Sequence, residues 1–328
     1  MEIILVFLSV VAAGIPMVGY LLFMRWLDRY EREPLGLVAA AFTWGAIGAI
    51  AIAVVGSVIL ALPLALITDE NTAMWIEVSM VAPLVEEPAK ALCLLLLYRS
   101  RQFDNATDGF VYGAAAGLGF GMTENFFYFA GSAGEGVIVW FVVVILRTLF
   151  TGLMHAAATS MVGAALGWAK FSTAPLRMFA IPFALLAAMG MHAFWNSFAI
   201  APMVFEAGAG LPIISFLLFP VEFGALFLIF QASLISESRL IRRELAEEAK
   251  RGTLPAEHVE KFAKWSARRD HRSWTPKGVD GARYLELGTL LAFRRNQHAA
   301  RPHEAHYADE VARLRGELSE LLKPPGTA

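Results

Sequence analysis

The chain has 328 residues, 57% hydrophobic and 17% charged, with a mean hydropathy of +0.55, which excludes a soluble domain of ordinary composition. Residues 1–236 hold 9 Lys+Arg and 15 Asp+Glu, residues 237–328 hold 18 and 14, and this asymmetry reads as a membrane domain followed by a water-exposed tail. A net charge of −2 excludes a nucleic-acid binder held by bulk charge, and the single Cys93 excludes an intrachain disulfide framework.

Seven apolar stretches are long enough to cross a bilayer: Ile3 to Met24, Leu37 to Leu62, Met74 to Tyr98, Gly109 to Gly131, Val137 to Ala169, Met178 to Ile200 and Leu211 to Ser236. A barrel would show short alternating strands instead, so the predicted fold is all-α, a polytopic helical bundle of seven spans, or eight if the long fifth stretch divides. That stretch exceeds one upright helix and is expected to tilt, protrude or break near Gly152. Span one lacks a basic leading region and is followed at once by Arg25, Arg29 and Arg32, so it reads as an uncleaved anchor.

Basic residues alternate between loops. Arg25, Arg29 and Arg32 follow span one, Arg99 and Arg101 span three, Lys170 and Arg177 span five, and Arg239, Arg242 and Arg243 span seven. The loops at Thr68 to Asn71, Ser132 to Gly136 and Ala201 to Gly210 have no Lys or Arg. This predicts an outer amino terminus and a cytoplasmic carboxyl terminus. The tail from Glu237 carries Leu, Ala, Glu and Arg at helical spacing, interrupted at Gly252, Pro255, Pro276 with Gly278, Gly281 and Pro302, so three or four short amphipathic helices are expected. Its histidines, including His298, His303 and His306, match no structural metal spacing and read as solvated.

Ionisable groups within spans are costly and are functional candidates by default. Span three carries Glu86, Glu87 and Lys90, span four Glu124 and Asn125, span five Arg147 and His155, span six His192 and Asn196, and span seven Glu222. Lys90 is i+4 from Glu86 and i+3 from Glu87, so its ammonium can hold one acid and leave the other free to work. Pro88 cannot donate to the Leu84 carbonyl, which predicts a kink and an exposed acceptor beside the acids. Phe120 and Glu124, His155 and Thr159, and His192 and Asn196 are i, i+4 pairs, each on one helix face. Gly109, Gly113, Gly117 and Gly121 form a seam for close helix packing. Arg147 and Glu222 sit at matching depth and read as a structural ion pair.

Amide hydrolysis needs a base for water, an acid for the leaving amine and donors for the oxyanion, and these carboxylates, histidines and Asn196 supply all three. No Ser-His-Asp elbow or HExxH motif is present. No metal is assumed; zinc remains open, held by Glu86, Glu124, His155 and His192. A proton-coupled transporter or channel is the rival class, although no second copy of EEPAK or HAFWN marks two related halves. A non-catalytic membrane scaffold is a third.

At these residues the sequence resembles the PrsW family of intramembrane proteases, grouped with the type II CAAX prenyl endopeptidases. The resemblance is carried by DRYEREP (Asp28 to Pro34), EEPAK (Glu86 to Lys90), DGFVYG (Asp108 to Gly113), FGMTEN with Phe120 and Glu124, His155, and His192 with Asn196. It covers about residues 20 to 236 and leaves the tail unexplained. It implies that Glu86 activates water with help from Glu124, that Glu87 pairs with Lys90, and that His192 and Asn196 form an oxyanion hole. His155 would be catalytic or line the pocket. The family is often labelled a metalloprotease, whereas its CAAX relatives look like metal-free glutamate proteases. Glu124 stands where those relatives carry a histidine, which argues against a prenylated substrate. The implied substrate is a single-pass membrane protein, such as an anti-sigma factor, cut near its outer face in a bacterial inner membrane.

Overall fold

The computed structural model describes all residues except 101, 173, 174, 176, 206–209 and 324–328, and all side chains except those of these residues and of 65, 201–205, 210–212 and 214–216. Arg101 and part of the expected outer loop at 201–210 therefore lie outside the described residues. Among the described residues every regular element is helical. The chain divides into two compact units, one built from most residues up to Ile229 and the other from Phe230 onward together with Asp28–Arg32.

The first unit is formed by α1 (Glu2–Leu27), α2 (Leu35–Ala61), α3 (residues 70–97), α4 (Ala106–Ser132), α5 (Val137–Phe171), α6 (Arg177–Phe205) and the first part of α7 (Gly210–Lys250). Five of these, α1, α2, α5, α6 and α7, are long and apolar enough to cross a membrane. Their outward faces are aliphatic and aromatic: Ile3, Phe7, Ile138 and Phe183 are among many large apolar side chains left exposed. Such a surface is stable in lipid and not in water. The chain is therefore a multi-pass helical membrane protein.

The two other expected spans form helices of comparable length but are less purely apolar for identifiable reasons. Helix α3 carries Glu77, Glu86, Glu87 and Lys90. Helix α4 is buried at every residue from Thr107 to Gly121. A helix sheathed in protein on all sides does not need the aliphatic surface that lipid demands, and here it is built from Gly and Ala instead.

Helix α4 begins with a capping box, in which Asn105 accepts from Thr107 and Asp108 while Asp108 accepts from the Asn105 backbone at 3.0 Å. Gly136, with φ 102°, turns the chain from α4 into α5. The long α5 does not break at Gly152. It takes a π-helical turn at Arg147–Thr151 and continues from Gly152 to Phe171. Similar turns lie at Trp44–Ala49 in α2 and Glu77–Val81 in α3. Tyr112 of the DGFVYG stretch donates to the buried Glu33 carboxylate of DRYEREP, fixing the entry to α2 against α4.

The second unit has its own core, with Ile241, Leu245, Phe262, Tyr284, Leu291, Phe293, Leu314 and Leu318 at its centre. Its helices are the end of α7, α8 (Val259–Ala263), α9 (Trp265–Arg269), α10 (Gly281–Ala300) and α11 (Ala305–Leu321). Gly281, expected to interrupt a helix, instead opens α10, because Asp280 caps it by accepting from Ala282 and Arg283 at 3.0 and 3.2 Å. Arg283 pairs with Glu317 and Arg294 with Glu310, each at 2.7 Å, so α10 and α11 form an antiparallel hairpin.

Candidate active site

The i, i+3 and i, i+4 spacing of EEPAK is realised as a compact ion cluster. Lys90 is fully buried and its Nζ lies 2.7 Å from Glu87 Oε1 and 3.4 Å from Glu86 Oε2. An ammonium in such surroundings is tolerable only when its donors are used. Lys90 also reaches His155 Nδ1 at 2.9 Å and lies 4.0 Å from the centre of the Phe120 ring. The Phe120 ring therefore meets the Lys90 cation with its face.

The two histidines approach from α5 and α6 and meet with perpendicular rings 4.9 Å apart. His192 Nδ1 lies 2.8 Å from Glu87 Oε1 and 3.9 Å from Glu86 Oε2. His155 Nε2 lies 2.6 Å from Glu124 Oε2. A lysine ammonium only donates, so in this network His155 Nδ1 accepts from Lys90 and Nε2 donates to Glu124. By the same logic His192 donates from Nδ1 to Glu87, leaving Nε2 facing outward from that pair. Glu87 Oε1 thus accepts two hydrogen bonds and Glu86 accepts none, while the Oε2 atom of each acid is buried without a hydrogen-bond partner.

Arg147 completes the cluster and corrects the sequence reading. It does not pair with Glu222; its Nη2 lies 2.9 Å from Glu124 Oε2, its Nε donates to Asn125 Oδ1 at 3.0 Å, and its guanidinium sits 3.5 Å from the centre of the Tyr128 ring. Sequence reasoning set Arg147 aside as structural. The available signal was its position two turns before His155 on the same helix, although the π turn between them shifts the register that simple spacing assumes.

The glycine seam explains how His155 reaches this cluster. The seam of α4 runs antiparallel against α5, with Gly109 facing Gly163, Gly113 facing Thr159, Gly117 facing His155 and Gly121 facing Gly152. A Cβ on Gly113 would lie 2.8 Å from Ser160 Cα, one on Gly117 2.7 Å from Ala156 Cα, and one on Gly121 3.3 Å from His155 Cδ2. Any side chain on Gly113 or Gly117 would push the two backbones apart, while one on Gly121 would crowd the His155 ring. On the opposite side of α4, Gly119 abuts the Phe42 carbonyl of α2, and Trp44 of α2 donates to the Ala89 carbonyl of α3 at 2.9 Å.

Asn196, one turn after His192, donates to the Val78 carbonyl at 2.9 Å, inside the π turn of α3. One amide hydrogen is thereby used and a second remains. The structure thus brings Glu86, Glu87, Lys90, Phe120, Glu124, Arg147, His155 and His192 into one network, with Asn196 anchored beside it.

One ligand-type atom from each of Glu86, His155 and His192 lies within 4.8 Å of the others. One carboxylate and two imidazoles are the donor types of a catalytic zinc site, and the carboxylate behind His192 fits that use, while His155 would give up its bond with Lys90 or Glu124 to join it. Glu124, the fourth ligand considered from sequence, is outside this group and is engaged by Arg147 and His155. Lys90 lies beside the same three groups, so a metal held there would share its surroundings with an ammonium.

The pattern of the PrsW family of intramembrane metalloproteases matches residues 33–264. Protease PrsW of Geobacillus kaustophilus is 30% identical over 179 residues, covering 52% of this chain and 71% of the relative. Protease PrsW of Bacillus subtilis is 29% identical over 178 residues, covering 52% and 73%. No solved structure matches the chain.

Proposed function

The chain belongs to the PrsW family of intramembrane proteases, and from that premise we propose that it hydrolyses a peptide bond of a single-pass membrane protein with a water molecule activated by Glu86. The observation that carries this reading is the unequal treatment of two adjacent acids. Glu87 is committed to hydrogen bonds from Lys90 and His192, whereas Glu86 accepts no hydrogen bond and meets Lys90 only at 3.4 Å.

In the proposed reaction the Glu86 carboxylate takes a proton from water as the water oxygen attacks the scissile carbonyl carbon. The tetrahedral oxyanion accepts hydrogen bonds from the second Asn196 amide hydrogen and from His192 Nε2. Donation from Nε2 requires the imidazolium form, whose charge Glu87 balances through Nδ1. Glu86 then returns its proton to the leaving nitrogen and the C–N bond breaks. Glu124 holds His155 and, through it, the Lys90 end of the cluster, with Arg147 fixing Glu124. If the family's metal takes part, Glu86, His155 and His192 would hold it, and it would lower the pKa of water and polarise the carbonyl.

The substrate we infer is of anti-sigma-factor type, cut near the outer face of a bacterial inner membrane. All seven long helices cross that membrane in this reading, with the amino terminus outside and the second unit in the cytoplasm. The alternating Lys and Arg content of the loops supports this orientation. The test is a comparison of protein termini in cells expressing wild type or Glu86→Gln at equal level. New termini near the outer ends of single-pass proteins, present only with wild type, are expected; identical termini under several envelope stresses would overturn the reading. Metal content per chain, measured on wild type and His192→Asn, separates the metal-assisted from the metal-free form.

A further inference from the structure

The DRYEREP stretch is not used by the catalytic cluster. Its residues Asp28–Arg32 belong to the second unit, where Arg29 and Tyr30 line a cavity of about 380 Å³. Tyr30 is locked in place: its hydroxyl donates to the Ala263 carbonyl at 2.9 Å and its own carbonyl accepts from Arg268 at 2.8 Å. That anchoring presents Arg29, whose guanidinium lies 5.8 Å from the centre of the Trp265 ring.

Arg29, Arg239, Arg242 and Lys264 all line this cavity, and none of its lining residues is acidic. Arg242 also pairs with Glu260 at 2.7 Å, where both side chains are largely exposed. Glu260 offsets one of these four charges, and the remaining cations around one small volume repel one another unless a further anion joins them. On α7 the cavity face runs from Leu234 and Ile235 to Arg239 and Arg242 within about two turns, so an apolar patch adjoins the cationic one.

We propose that this cavity binds a phosphate ester anion, with the phosphate held by Arg29, Arg239, Arg242 and Lys264 against the Trp265 face. Arginine and lysine clusters of this kind are matched to phosphate oxygens. An anionic phospholipid headgroup and a soluble phosphate share this chemistry, and the adjoining Leu234 and Ile235 favour the lipid.

The test uses the full-length protein in detergent, stripped of lipid, with binding read by native mass spectrometry. The probes are dioleoylphosphatidylglycerol, dioleoylphosphatidylcholine and inorganic phosphate. Wild type is expected to retain phosphatidylglycerol in preference to phosphatidylcholine, and Arg239→Gln with Lys264→Gln to weaken that retention by about thirtyfold. Arg251→Gln with Lys277→Gln removes the same charge at exposed positions outside the cavity and is expected to bind as wild type. Arg29→Gln reports on the site independently of the double variant, and a melting curve for each variant verifies folding. Cavity-dependent binding of inorganic phosphate without phosphatidylglycerol supports the site and identifies a soluble ligand. Equal binding of every probe by the cavity and control variants overturns the proposal.

Discussion

The carbonyl of His155 is packed against Gly117 so closely that a methyl group on Gly117 has no room beside it. The position of a cluster histidine is thereby set by the absence of a side chain on a neighbouring helix. Gly117→Ala is expected to cost about 1 to 3 kcal/mol of stability through overpacking, and to reduce cleavage by displacing His155. Gly131 lies on the same helix with nothing within 4 Å of its would-be Cβ. Gly131→Ala should leave the melting temperature unchanged or raise it slightly, and a loss of stability equal to that of Gly117→Ala would contradict the packing argument.

The adjacent acids should respond in opposite ways. Glu86→Gln is expected to lower turnover by about 10²- to 10⁴-fold while leaving the protein folded, because it removes the base of the proposed reaction and leaves Lys90 its closer partner Glu87. Glu87→Gln leaves the buried Lys90 ammonium without its nearest counter-charge and should destabilise the fold by about 3 to 5 kcal/mol. Thermal unfolding in detergent alongside a cleavage assay distinguishes the two; equal effects of both substitutions on both readouts would refute the division of roles.

Arg147→Met should reduce cleavage by about 10²-fold by freeing Glu124 from its ion pair and Asn125 from its hydrogen bond. Glu222→Gln is expected to cleave as wild type, since Glu222 is not the partner of Arg147. Parallel activity measurements on the two variants decide between this arrangement and the Arg147–Glu222 pair expected from sequence.

The second unit carries a pH response of its own. His258 is buried, lies 3.0 Å from the Tyr284 hydroxyl and packs against Trp274. Burial pushes its imidazole below the usual range, with Glu257 opposing and Lys261 adding to the effect. The unfolded chain therefore binds this proton more readily than the folded one, so the contribution of His258 is complete above its unfolded value of 6.5 and declines as the pH falls below it. Once the intrinsic pH dependence of exchange is divided out, protection of the amides across residues 258–293 should fall between about pH 7.5 and 5.5, and His258→Gln should flatten that dependence.

Much of the cluster was legible in the sequence because it is encoded within single helices. The contacts of Lys90 with Glu86 and Glu87 follow from i+4 and i+3 spacing, and the seam from Gly109 to Gly121 follows from a repeat of four. What sequence spacing did not reveal depends on register between helices. The choice of Glu124 over Glu222 by Arg147, and of the Val78 carbonyl by Asn196, is made across the bundle and at π turns, where side chains rotate away from regular positions. Hydropathy also misrepresents α4, whose burial within protein removes the aliphatic surface by which spans are recognised.

The clamping of α4 on two faces bears on how a substrate helix enters. Gly117 meets α5 and Gly119 meets α2 at backbone contact, so sliding or tilting of α4 would collide with one neighbour or strip contact from the other. Helix α6 is held by side chains: His192 and Asn196 reach α3 through hydrogen bonds, Ala188 and Trp195 are buried in the core, and its Gly190 faces open space. Side chains can re-aim while backbones in contact cannot. In the proposed reaction the two oxyanion donors therefore sit on one helix, so any displacement of α6 from α3 would withdraw His192 and Asn196 together.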